Sequence, residues 1–129
     1  MEDKRINYWL QTAENDWQVA RHLFEKKDYA YALFFGHLVI EKILKAIIIL
    51  HKGGNPPFSH RLTYLAEKAD LELNDEQGEL LEIITDFHLE ARYPDEKFVF
   101  YKKCTQQFTN SYLEKIEGIK AWLLEQIRS

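Results

Sequence analysis

One long apolar helix pattern, stopped by an abrupt breaker, most constrains how this chain can fold. From about Tyr29 to Leu50 one stripe runs through Leu33, His37, Ile40, Leu44 and Ile47, and a second through Phe34, Leu38, Ile43 and Ile48. Two stripes make an apolar arc too broad for a surface helix, so the pattern predicts a central rod covered on several sides. The segment Lys52-Gly53-Gly54-Asn55-Pro56-Pro57 ends it, because Gly releases a helix C-terminus and Pro cannot continue one.

Flanking segments supply the cover. From about Asp3 to Glu25, apolar residues at Ile6, Leu10, Ala13, Trp17, Ala20 and Phe24 form one helical face, and Asp28 offers a cap for the central helix. After the breaker, a short helical pattern runs from His60 to Ala69, with Ser59 before it. Asn74 and Asp75 open a fourth helix reaching about Ala91, and Pro94 and Asp95 mark a turn. Lys97 to Tyr101 is short, aromatic and β-branched, but it has no second strand to pair with, so it reads as a loop or the lead-in to the last helix. That helix spans roughly Lys103 to Gln126. The fold expected is all-α, an up-and-down bundle of four long helices plus one short helix, as a single domain over residues 1–129.

Composition narrows the function classes. With 129 residues, 46% hydrophobic and 29% charged, the chain is large enough to bury one core. A formal net charge of −4 gives no global basic field for nucleic-acid backbones, so any nucleotide contact must be local. A lone cysteine, Cys104, excludes an internal disulfide and any multi-cysteine metal site, and it points to a reducing cytoplasm. The longest unbroken apolar run, Ala46 to Leu50, is far short of the roughly 20 residues that span a bilayer, so no membrane role is expected.

Three groups of residues could carry chemistry. His37, Glu41 and Lys45 follow each other at i,i+4 steps down the central helix, and they read as a solvated or interface row of weak pairs unless they line a groove. His60 and Arg61 stand at a helix start, where free N–H groups and a positive dipole end favour phosphate; the structural alternative is a His that packs against the turn. His88 and Arg92 are i,i+4 neighbours at the end of the fourth helix, followed by Tyr93, Pro94 and Asp95, with a terminal cation and a packed Tyr as the alternative. No Glu is followed three residues later by His, so no di-metal site is expected, and neither a phosphate loop nor a nucleophile elbow is present.

Taken in order, Trp9, Ala13 and Asp16-Trp17, then Asp28-Tyr29-Ala30-Tyr31-Ala32, then Glu41-Lys42-Ile43-Leu44-Lys45-Ala46, then His60 with Leu62 and Leu65, then Ala91-Arg92-Tyr93-Pro94-Asp95, resemble the HEPN domain over nearly the whole chain. The resemblance implies a homodimer of helical bundles with a groove for a nucleotide or RNA, often paired with a minimal nucleotidyltransferase and in some members forming a toxin–antitoxin pair. Toxic members carry Arg-x4–6-His, the Arg for phosphate and the His for acid–base transfer. No His follows Arg92 here, and Arg5, Arg21 and Arg61 have none at that spacing. The reading is therefore a non-catalytic module without cofactor or metal, whose nucleotide or partner groove draws on Glu41, Lys45, His60, Arg61, His88, Arg92, Tyr93 and Asp95. Two alternatives stay open: a divergent ribonuclease in which His88 and Arg92, or His60 and Arg61, rebuild the acid–base pair, and a dimeric scaffold without ligand.

Overall fold

A computed structural model describes residues 3–128, apart from the side chains of residues 94 and 95. The chain forms α1 (Lys4–Glu25), α2 (Tyr29–Lys52), α3 (Leu62–Lys68), α4 (Asp75–Arg92), α5 (Pro94–Lys103) and α6 (Gln106–Arg128). The all-α bundle expected from the apolar periodicity is present, and among the described residues there is no strand.

The broad arc of α2 has the predicted consequence. Leu33, Ile40, Ile43, Leu44 and Ile47 are all essentially inaccessible, and α1, α3, α4 and α6 each pack against α2. At Gly36 the α6 side chain of Ile116 comes so near that a built Cβ would lie 2.8 Å from its Cδ1, so glycine lets these two helices close up. The other end of α2 finishes at Gly53, whose φ of 76° is the left-handed cap that the Gly-Gly sequence implies, with its N–H donating to the Ile49 carbonyl.

Local chemistry sets the other boundaries. Asp3 caps α1 by accepting from the Arg5 N–H, and the link to α2 turns through Lys27 at φ 68°. Asp28 occupies the N-cap position of α2 but makes no side-chain cap hydrogen bond. Asn74 and Gln77 form a reciprocal capping box at the start of α4. His51 donates from Nδ1 to the Ala69 carbonyl at 2.7 Å, fastening the end of α3 to the end of α2.

Two expectations need correction. Lys97 to Tyr101 is neither loop nor lead-in but part of a separate helix, α5, which starts with Pro94 at its first turn and buries Phe100 while leaving Phe98 and Val99 about two-thirds exposed. One buried ring suffices to dock a helix of this length, whereas a strand would need a partner. The short helix begins at Leu62, not at His60, because residues 59–61 are held extended by side-chain partners described below. Among the described residues no helix is long and apolar enough to cross a membrane.

Candidate functional site

α2 presents His37, Glu41 and Lys45 in one column, as their spacing requires, but the column is neither solvated nor a surface row. All three side chains are buried, because the loop between α2 and α3 folds back over them. His37 Nε2–H donates to the backbone carbonyl of His60 at 2.8 Å. This fixes the His37 tautomer and leaves Nδ1 without a hydrogen bond, 3.8 Å from Glu41 Oε1. Burial pushes the His37 imidazole below its ordinary pKa, which keeps it neutral.

Glu41 is the hub. Its Oε1 accepts from His60 Nδ1–H at 2.7 Å and its Oε2 from the Lys45 ammonium at 3.1 Å. Burial alone would raise this carboxyl, but the His60 hydrogen bond and the Lys45 charge outweigh it and hold the group below the usual glutamate range. Glu41 is therefore a carboxylate at neutral pH. Lys45 also lies over the Trp9 ring, 5.4 Å from its centroid.

α4 contributes the third wall. His88 is buried and sandwiched between two flat partners, Phe34 at 5.3 Å and His60 at 4.1 Å, each inclined by 24°. Its Nε2 accepts a long hydrogen bond from Arg92 at 3.5 Å, so the proton sits on Nδ1, which has no partner. Burial, with the nearby His37, His60 and Arg92, drives its pKa down to about 4. His60 itself is half-exposed, and its Nε2 makes no hydrogen bond among the described residues. A carboxylate thus orients an accessible imidazole, with a guanidinium one ring away.

Of the residues picked out from the sequence, Glu41, Lys45, His60, His88 and Arg92 come together, all on helices except His60, which the loop supplies. Arg61 and Tyr93 are exposed and make no side-chain hydrogen bond, ion pair or ring contact with the cluster among the described residues. At the start of α3, beside Arg61, the Leu62 N–H donates to Thr85 Oγ1 at 3.1 Å. The side chain of Asp95 lies outside the described residues. Despite three histidines, no group of three or more His, Cys, Asp or Glu among the described residues has the placement to hold a metal ion.

A groove of about 550 Å³ opens on the far side of Lys45, walled by Tyr8 and Trp9 of α1 and by Pro56, Pro57 and Phe58 of the loop. Arg5 pins that loop by donating to Asn55 Oδ1 and to the Gly53 carbonyl, both at 2.9 Å. The sequence signal for this groove is an aromatic residue in a Pro-Pro-Phe-Ser loop. That signal has no partner nearby in the sequence, because Trp9 belongs to the first helix, far earlier in the chain.

A helical bundle with one polar histidine–carboxylate centre inside it is the class these features define. The HEPN domain family model matches residues 6–127, and the chain belongs to that family. A crystal structure of TT1696 from Thermus thermophilus is similar, with a TM-score of 0.80 and 21% identity over 94% of this chain and 97% of that one, a likeness of fold. No curated protein matches.

Proposed function

We propose that the chain is a non-catalytic HEPN module of the cytoplasm that dimerises and binds a nucleotide, and that it pairs with a small nucleotidyltransferase. The observation that carries this reading is that His60, bonded to the buried Glu41–Lys45 pair, stacks on His88, whose hydrogen-bond partner is Arg92. It sets two nitrogen-bearing side chains at the rim of an otherwise apolar bundle, where a phosphate can be met by charge and hydrogen bonds. His88, the histidine beside Arg92, is stacked on both sides and held neutral down to about pH 4, so it makes a poor proton donor and a good packing element. Leu89, Tyr93, Phe98, Val99 and Tyr101 are exposed around α5 and supply an apolar face for a second copy or a partner.

Thermal unfolding with adenosine and guanosine mononucleotides and triphosphates tests the ligand. The expected result is a rise in melting temperature for wild type that is lost in His60→Ala and Arg92→Ala. No shift with any nucleotide removes nucleotide binding, and a monomeric mass by light scattering removes dimerisation.

The Glu41–His60 pair favours one second reading, a divergent ribonuclease. A carboxylate that fixes Nδ1–H leaves Nε2 free to accept a proton, which relocates the acid–base role from the pairs named from sequence to His60 and Glu41. RNA cleavage abolished in both His60→Ala and Glu41→Gln supports it; no cleavage by wild type ends it.

A further inference from the structure

We propose that the groove between α1 and the Pro56–Phe58 loop is the base subsite of the nucleotide site, with the ring stacked between Trp9 and Phe58 and the phosphate turned toward His60. This rests on the nucleotide reading above and adds where the base goes and which residues read it. Three observations carry it. The Phe58 ring is wholly exposed, an aromatic face at the lip of a groove with no protein packed against it among the described residues. Such a ring with Trp9 and Tyr8 opposite offers a flat ligand two apolar surfaces, and base-on-aromatic stacking tolerates any base.

The lining is also complementary in charge. Lys4, Arg5 and Lys45 reach the groove and no carboxylate among the described residues lines it, in a chain whose net charge is −4. Asp3 and Glu41 neutralise Arg5 and Lys45 from behind, while Lys4 has no ion pair among the described residues. The lining thus favours an occupant with a planar apolar body and an anionic end over a cationic or a wholly apolar one. Finally, groove and cluster share a wall. Lys45 lines the groove and donates to Glu41, Glu41 accepts from His60, and the loop that supplies Phe58 supplies His60 two residues on. In this proposal a mononucleotide lies across that shared wall, its base in the groove and its phosphate toward His60.

The test compares adenosine 5′-monophosphate, adenosine and ribose 5-phosphate by isothermal titration calorimetry on wild type, Phe58→Ala and His60→Ala. No described residue packs against the Phe58 ring, so Phe58→Ala leaves the melting temperature unchanged. The expected pattern is crossed: Phe58→Ala weakens the monophosphate and adenosine by about tenfold and leaves ribose 5-phosphate untouched, whereas His60→Ala weakens the two phosphates and spares adenosine. Monophosphate binding that is unaffected by Phe58→Ala but lost in His60→Ala overturns the base subsite and leaves the nucleotide reading standing. A Phe58→Ala variant that turns monomeric in light scattering makes the groove a subunit contact and overturns the subsite as well. If no mononucleotide binds wild type, both readings fall.

Discussion

Glu41 Oε1 lies 2.7 Å from His60 Nδ1, although the two residues sit on different elements and only one of them is buried. The same carboxylate holds Lys45, so removing its charge strands a buried ammonium. Glu41→Gln is expected to cost about 3 kcal/mol, the usual scale for breaking a buried pair from one side. Urea unfolding at pH 7 measures it, and a loss below about 1 kcal/mol would show Lys45 escaping to solvent.

The His88 stack makes stability depend on acid. His88 titrates near 4 in the fold against an ordinary value of 6.5, so the unfolded chain takes up the proton first. Its contribution is complete above pH 6.5 and is lost as pH falls through 4, at no more than about 1.4 kcal/mol per pH unit. His88→Phe keeps the sandwich between Phe34 and His60 and removes the proton, so unfolding free energies between pH 7 and pH 4.5 should fall less steeply than in wild type. Equal slopes would remove His88 from the acid response.

Lys42 of α2 pairs with Asp16 of α1 at 2.5 Å, and Asp16 is buried. Lys42→Ala leaves that carboxylate without its counter-charge and is expected to destabilise by about 3 kcal/mol, while Asp16→Leu combined with Lys42→Met recovers much of the loss. A double-mutant cycle in denaturant reads the coupling directly.

Lys27 holds φ at 68° in the link between α1 and α2. A side chain meets a steric penalty there that glycine avoids, so Lys27→Gly is expected to raise the melting temperature, by about 1 kcal/mol of stability at most. An unchanged or lowered temperature counts against strain at this turn.

Cys104 is buried, and burial, reinforced by the Glu90 carboxylate, pushes its thiol up to about 12. It should react with a chromogenic disulfide at pH 8 only on the timescale of unfolding. Fast labelling of native protein would contradict the packing of α5 against the bundle.

The helices were legible because apolar periodicity is a local signal. Leu33 through Ile48 announced a central rod, Gly53 its end, and Asn74 the start of α4, and each is where its spacing put it. α5 was not legible, since FVFY has the composition of a strand and becomes a helix because Phe100 finds a socket against Phe87. In the same way His60 looked like the first residue of a helix. It is instead drawn out of helical geometry by two bonds, from His37 to its backbone and from its ring to Glu41.

The amino-acid sequence by itself determined the all-α class, the central helix, the chain's family and the column of His37, Glu41 and Lys45. All of these follow from residue spacing within one segment or from the order of segments. Tertiary structure alone decided that the column is buried, that it meets His60 and His88, and that Trp9 faces Phe58 across a groove. The physical reason is that burial and hydrogen-bond partnership are properties of segments brought together. A polar row at i,i+4 spacing has the same sequence whether water or a folded-back loop covers it.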